Sequence, residues 1–564
     1  MRERGDFIPL TKSLPGKRVY VKKKKRTAVN KRVLYLSIQA LLNALVIGVV
    51  AKLLIFLIDL ITNLAFYHRF SFLPGSPANH HLGALVILVP VAGGLIVGLM
   101  AKYGSKAITG HGIPEAMERI IMADSKIPPA LTFLKPISAA VSIGTGGPFG
   151  AEGPIIATGA AFGSLTGQLM HINPAERKII LAAGACAGMA AIFGSPLAAL
   201  LLAVELLLFE FSPRSIIPVA VGCITGAGMH ILLFGKVLVF YMQAIPQVSI
   251  GGLAIYMLFG LLIGVAASYI SKSVYVIEDY FERSSIPWMW WPALGALAIG
   301  VTGFFAPYTM GVGYENIQQL LTGTVPLTLL LSLCFLKYIS WSISLGSGTS
   351  GGTLAPLLTI GGAFGGLLGY FLLHYFPTAP IQLTTAVLIG MAAMFAGASR
   401  ALLTSIVFVL ETTGQINGLL PVLAASLSSY FISFFLMKGS IMTEKIQRRG
   451  VITPDAFEPD IFKGVTCGKL MSKPQASTEE TPFVFQNDDV GFAVELMGKY
   501  KVDRVQVVDN KHSLTPIGSL SSAAIIGFYS QQKHQQHTYA SPGRTRRIIV
   551  QGRKLLMKNY SSNI

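Results

Sequence analysis

Charge is what this chain has least of. Only 13% of its 564 residues are Asp, Glu, Lys or Arg, about half the share usual in a soluble globular protein. Acids are the scarcer sign, 26 against 45 Lys and Arg, which leaves a formal net charge of +19. Cysteine is rare too: Cys186, Cys223, Cys334 and Cys467 show no paired spacing. Three of them lie in apolar surroundings, so they read as small core residues. His111, His171 and His230 are widely scattered, and neither an H-E-x-x-H motif nor a nucleophile–base pair is present. These absences argue against a membrane-embedded enzyme. The N-terminus also lacks the compact apolar region and small-residue cleavage site of a secretory signal. What the chain has instead is 52% apolar residues and a mean hydropathy of +0.60, the composition of a polytopic membrane protein.

Apolar spans begin near Leu34, Leu82, Leu131, Ile179, Ile216, Gly251, Trp291, Val325, Leu357, Leu383 and Leu419. Several are shorter than the roughly 20 residues needed to cross a bilayer core, and many are broken by Gly or Pro. Helices that end inside a membrane are tolerated only where protein or a wet cavity surrounds them. Paired interruptions in two halves of a chain point to a transport site between the halves.

The most informative interruption runs from Gly144 to Gly167. One carboxylate, Glu152, sits there in a glycine-rich turn followed by Gly153-Pro154 and an apolar run. Proline in the first turn of a helix sacrifices no hydrogen bond, so the turn predicts a helix start whose free N–H groups attract anions. The pattern returns from Gly346 to Gly369. Gly144, Gly146, Gly150, Pro154, Gly159, Phe162, Gly163 and Gly167 each have an identical partner 202 residues later. Gly188-Met189-Ala190-Ala191 and Phe193 recur at the same offset as Gly390-Met391-Ala392-Ala393 and Phe395. This is an internal duplication. A third start of the same kind is Gly110-His111-Gly112-Ile113-Pro114.

Residues 1–32 carry twelve Lys and Arg against Glu3 and Asp6. Because a hydrophobic span follows directly, the basic arm reads as a positive-inside signal rather than a nucleic-acid-binding segment. Arg448-Arg449, beyond the last span, put the C-terminal side in the cytoplasm as well. Trp288, Trp290 and Trp291 read as an interfacial anchor. The first helix is expected from about Arg32 to Phe66. After Lys438 the composition turns soluble, and the pattern predicts strand, helix, strand, strand, helix at Phe483–Phe485, Val490–Tyr500, Arg504–Val508, Pro516–Leu520 and Ala523–Tyr529. Gln531–His537 and Arg544–Lys558 are expected to be poorly ordered.

Three proline-capped helix starts, at Gly110–Pro114, Gly150–Pro154 and Gly352–Pro356, resemble in this order the anion-binding motifs of the CLC family of chloride channels and chloride/proton antiporters. Glu411-Thr412-Thr413-Gly414 and Ser440–Lys445 are similar to further family segments, so the resemblance spans about residues 32–450. It implies an all-α polytopic membrane protein of two inverted repeats of tilted, partly spanning helices, at about 82–235 and 248–435. It also implies a homodimer in a lipid bilayer with one anion path per subunit, chloride as the transported ligand and no other cofactor. The expected location is a bacterial inner membrane with both termini cytoplasmic. Residues 1–31 would be a basic N-terminal segment, and 533–564 a basic tail. Residues 465–532 resemble a single CBS-type repeat, part of a small α/β segment. A lone repeat has to pair across the dimer, so nucleotide binding is not expected of it.

By the same resemblance, Glu152 matches the family's gating glutamate. His111, Gly112, Ile113, Gly150, Ala151, Gly153, Thr353, Leu354 and Met442 fall on anion-binding positions. Several depart from the family pattern. His111 stands where a serine hydroxyl is common, and is either an anion ligand or an N-cap. Met442 stands where a tyrosine hydroxyl is common, Leu354 replaces a phenylalanine, and Ala151 replaces a basic residue. The inner glutamate that relays protons in antiporters aligns with Leu206. Glu205 or Glu210 could act as a surrogate, though Glu205 fits a structural carboxylate better. The expectation is therefore a glutamate-gated chloride channel, with a chloride/proton antiporter using a surrogate acid as the alternative.

Overall fold

A backbone inside a bilayer must satisfy its own hydrogen bonds, so the apolar runs fold into helices. In the computed structural model the described residues are 26–122, 124–235, 238–323, 325–451, 462, 465–474, 482–509 and 515–539. Lys22–Lys25 and Arg544–Lys558 lie outside them. Residues 29–457 form one unit, and the chain from residue 458 belongs to a second.

The larger unit opens with α1 (Arg26–Tyr67), α2 (Leu88–Tyr103), α3 (Ile113–Met122) and α4 (Leu131–Gly144). It continues through α5 (Glu152–Leu169), α6 (Pro174–Phe193), α7 (Pro196–Leu202) and α8 (Pro213–Phe234). The second half holds α9 (Ile250–Arg283), α10 (Trp291–Phe305), α11 (Tyr314–Thr322), α12 (Leu327–Leu331) and α13 (Lys337–Gly346). Then come α14 (Leu354–Tyr375), α15 (Leu383–Ser399), α16 (Leu402–Thr413), α17 (Leu419–Leu436) and a short α18 (Glu444–Arg448). Among the described residues, eight helical stretches are long and apolar enough to cross a membrane. Between them lie α3, α7 and α11, each of ten residues or fewer. Large apolar side chains such as Leu42, Val276 and Phe434 face outward, more than half exposed, as a lipid-facing surface requires.

Glycine sets how closely the helices approach. A Cβ on Gly159 of α5 would lie 2.2 Å from the Gly184 carbonyl of α6, and one on Gly163 would lie 2.5 Å from that of Ile180. The copy repeats the seam: Gly361 of α14 meets the Gly390 carbonyl of α15 at 2.5 Å, and Gly365 meets that of Ala386 at 2.3 Å. Apolar burial drives no association in lipid, so such close backbone packing has to hold helices together. The repeat also extends further than its motifs. Gly144 at the end of α4 abuts Ile58 and Ile61 of α1, and Gly346 at the end of α13 abuts Val274 and Ile277 of α9. That makes α1 the counterpart of α9 and places the start of the first repeat at α1, earlier than residue 82. At an offset of 216 the two helices share letters as well: Ile47-Gly48-Val49 returns as Ile263-Gly264-Val265, and Ala51 and Ile61 as Ala267 and Ile277. The helix α1 itself starts at Arg26, before the expected Arg32, taking the end of the basic segment into its first turn.

The smaller unit has α19 (Cys467–Leu470), β1 (Phe483–Phe485), α20 (Val490–Tyr500), β2 (Arg504–Val508), β3 (Pro516–Ser521) and α21 (Ser522–Tyr539). Its sheet runs β1-β2-β3, the first pair parallel and the second antiparallel. Val484, Val490, Ala493, Val505, Val507 and Leu520 form its core. One expectation is overturned here: Gln531–His537 is helical, because α21 continues to Tyr539. The run of Gln, Lys and His lacks apolar residues but contains no helix breaker. All four cysteines are buried, and none of them is in a disulfide among the described residues.

Candidate functional site

Four loops of the larger unit meet, each leading into a helix start. Gly150 and Gly352, equivalent positions of the two repeats, exchange backbone hydrogen bonds of 3.2 and 3.0 Å in an antiparallel bridge. Equivalent strands can pair antiparallel only if a two-fold axis runs between them, which is the inverted relation of the repeats. Gly110 donates to the Thr349 carbonyl at 3.3 Å, and Gly311 donates to that of Gly146 at 3.0 Å. The starts of α3, α5, α11 and α14 are therefore stitched to one another through main chain.

Glu152 lies at the centre of this arrangement and is completely buried. It begins α5, and its carboxylate keeps its own amide beside it while reaching across to the other repeat. Its Oε1 accepts from the Ala355 N–H of α14 at 2.5 Å, with the Leu354 amide alongside. Its Oε2 accepts from the Tyr314 hydroxyl of α11 at 3.2 Å. The carboxylate of one repeat thus sits on the free N–H groups at a helix start of the other. Such a start carries roughly half a positive charge, and it would hold a small anion in the same way.

The other expected site residues divide by what their amides already do. Ile113, Ala151, Gly153, Thr353 and Leu354 are all brought to this centre, and Thr353 keeps a buried hydroxyl with no hydrogen-bond partner. Gly112 and Gly150 do not offer their N–H groups to an anion in this arrangement. The Gly112 N–H donates to Glu115 Oε2 at 2.7 Å, and the Gly150 N–H donates to Gly352. The physical reason is that Glu115 caps the orphan amides of α3 itself, and the bridge consumes those of the glycine pair. His111 is only 6% exposed, and its Nδ1 has no hydrogen-bond partner. Since Glu115 supplies the cap, the imidazole is not capping α3. Met442 is fully buried. The hydroxyls around it are engaged: Tyr275 donates its own to the Ile441 carbonyl at 2.6 Å, and Ser440 Oγ accepts from the Met442 N–H at 3.2 Å.

Glu205 is also occupied. Its two oxygens accept from the Leu403 and Thr404 N–H groups at 2.9 Å each, and from the Thr404 hydroxyl at 2.7 Å. Glu411 returns the favour on α7, accepting from Leu197 at 3.0 Å and Ala198 at 2.8 Å. Each repeat caps the broken helix of the other. Leu206 beside it is 4% exposed within a π-helical turn, Ala203–Leu208, and Glu210 lies beyond that turn, exposed. Sequence reasoning missed Glu115, Lys135, Tyr275, Tyr314 and Lys337. Three of these had a signal: Gly110-His111-Gly112 returns as Gly311-Val312-Gly313 just before Tyr314, and Lys135 returns as Lys337, 202 residues on.

A family model described as "Voltage gated chloride channel" matches residues 93–434, more than half of the chain. A ClcB-like chloride channel protein of Ralstonia nicotianae is 28% identical over 372 residues, 64% of this chain and 85% of the relative. The H(+)/Cl(-) exchange transporter ClcA of Yersinia pestis is 29% identical over 389 residues, 66% of this chain and 80% of its own. Among solved structures, a slow cyanobacterial Cl−/H+ antiporter superposes with a TM-score of 0.64 at 23% identity, over 73% of this chain and 98% of that one. A eukaryotic CLC transporter gives 0.59 at 18% identity, over 88% and 98%.

The Glu205 cap is directly testable. Glu205→Ala removes the acceptor for two amides of α16 and should cost about 1–2 kcal/mol, the scale of a lost N-cap. Glu205→Gln keeps one carbonyl oxygen and should recover part of that loss. Thermal unfolding of the detergent-purified protein would show the ordering wild type, Gln, Ala. Equal stability of all three would remove the capping role.

Proposed function

Because the chain belongs to the voltage-gated chloride channel family, we propose that it carries chloride across the membrane along a glutamate-gated path uncoupled from protons. Membership makes it an integral membrane anion transporter and not an enzyme. The observation that carries the gate is the seat of Glu152: a buried carboxylate on the N-terminal amides of α14 occupies the place an anion would take. Protonation removes the charge that competes for those amides, and the side chain can then leave. An intramembrane acid is costly to keep and is retained for such work.

The central anion is held by helix-start amides together with the His111 ring, whose buried Nδ1 is otherwise unpartnered. A buried polar atom without a partner asks for one, and chloride supplies it when that nitrogen carries the proton. Backbone and imidazole donors bind an anion without the full charge that would slow its release. The absence of coupling rests on the inner half of the path. Leu206 cannot titrate, Glu205 is committed to α16, and Glu210 lies exposed beyond the π-helical turn. Proton-coupled exchange is the second reading, favoured by the name of the Yersinia pestis relative. The same membership supports a homodimer in a bacterial inner membrane, with both termini cytoplasmic and one path per subunit.

Three outcomes are expected. His111→Ala should weaken chloride binding by about 1–3 kcal/mol, the scale of a hydrogen bond to a charged group, as read by calorimetry on purified protein. Glu152→Gln mimics the protonated acid and should give chloride flux that is constitutively high and insensitive to pH. Finally, a chloride gradient across proteoliposomes should drive no uphill proton movement. Steady proton pumping at a fixed ratio to chloride would establish exchange instead and send attention back to Glu210.

A further inference from the structure

The first anion motif has a counterpart that carries no proline and no histidine. Gly110-His111-Gly112-Ile113 pairs with Gly311-Val312-Gly313-Tyr314, 201 residues later. Both glycines of each loop are left-handed, with φ of 92° and 94° in the first and 68° and 78° in the second. A buried lysine clasps each loop from below. Lys135 Nζ donates to the Ile108 and Gly110 carbonyls at 2.7 and 2.8 Å. Lys337 Nζ donates to those of Thr309 and Gly311 at 3.1 and 3.4 Å. Two loops with the same backbone and the same clasp therefore present different residues to the centre. The first presents His111 and Ile113; the second presents Tyr314.

The Tyr314 ring is oriented by its neighbours. It meets Phe193 edge-on at 5.7 Å and 72°, and Phe240 at 6.1 Å and 66°. That packing aims the hydroxyl at Glu152 Oε2, 3.2 Å away, with the Ala151 amide beside the Tyr314 hydroxyl oxygen. On its other side Tyr314 lines a cavity of about 660 Å³, shared with Asp59, Tyr308, Glu315 and Asn316. It therefore touches both the buried carboxylate and this cavity.

We propose that Tyr314 is a positioning residue of the gate, the latch whose hydroxyl holds ionised Glu152 on the α14 amides and so sets the external pH at which the path opens. The inference rests on Glu152 being the gate. A phenol donates a stronger hydrogen bond to a carboxylate than to a carboxylic acid, so it stabilises the seated, charged form over the released, neutral one. Other groups face this pair. Asp59 of α1 and Glu315 of α11 share the cavity, Lys337 of α13 lies under Gly313, and the His111 carbonyl borders Gly153. Asp59, Glu315 and Lys337 set a background field. None has a hydrogen bond to the Glu152 carboxylate among the described contacts, whereas Tyr314 does.

The test is chloride flux through the full-length protein in liposomes as a function of external pH. Tyr314→Phe keeps the ring between Phe193 and Phe240 and removes only the donor. Half-maximal flux should move to higher pH by about one unit, the lower end of the range for a hydrogen bond to a charge. Site-specific 3-fluorotyrosine, a more acidic phenol and a stronger donor, should move it the other way. Glu152→Gln with and without Tyr314→Phe should give the same flat profile. If Glu152→Gln is flat while both Tyr314 variants titrate like wild type, the latch is wrong and the gate stands. If Glu152→Gln itself titrates like wild type, the gate reading has failed first.

Discussion

Everything in the larger unit depends on what happens to backbone N–H groups at helix starts buried within a membrane. Each start leaves four donors without an intrahelical acceptor, and lipid supplies none. The chain satisfies some permanently. Gly150 and Gly352 bond each other, Glu115 closes α3, and Glu205 and Glu411 close α16 and α7. At the start of α14 the acceptor is Glu152, a carboxylate wholly enclosed in the protein.

Three carboxylates therefore sit on helix starts of the opposite repeat, but they are not equivalent. Glu205 and Glu411 each engage two successive amides at partly exposed positions. Glu152 is wholly enclosed, shares its carboxylate between α14 and the Tyr314 hydroxyl, and borders His111 through Gly153. All three fasten one repeat to the other, and in the proposed mechanism the third is the one exchanged for an anion. The glycine seams make this possible, since α5 against α6 and α14 against α15 approach closely enough to hold their N-termini in register without bulky side chains crowding the centre.

Much of this was legible in the letters because it rests on local rules. Glycine and proline mark helix starts, so the stretches at Gly110, Gly150 and Gly352 announced themselves. The identical spacing of eight residues exposed the duplication, and an isolated acid in apolar surroundings singled out Glu152. In the smaller unit, alternating apolar residues gave β1, β2 and β3 almost to the residue. Low charge and high hydropathy placed the larger unit in a membrane.

Other features depend on contacts between residues far apart in the chain, and no local pattern encodes them. Glu205 meets Leu403 and Thr404 across 198 and 199 positions, which is why an acid adjacent to a relay position turned out to be a cap. Tyr314 meets Glu152 across 162, and nothing in Gly311-Val312-Gly313-Tyr314 says which way the ring turns; Phe193 and Phe240 decide that. The amides of Gly112 and Gly150 fall on anion-binding positions by motif, but Glu115 and Gly352 hold them. The pairing of α1 with α9 follows a different offset, 216 rather than 202, so Ile47-Gly48-Val49 and Ile263-Gly264-Val265 fall outside the spacing that marks the motifs. The sequence by itself determined where the helices start, that the chain is doubled, and which acid is out of place. Only the tertiary structure decided which donors are already satisfied and which are left for an anion, because that depends on partners a whole repeat away.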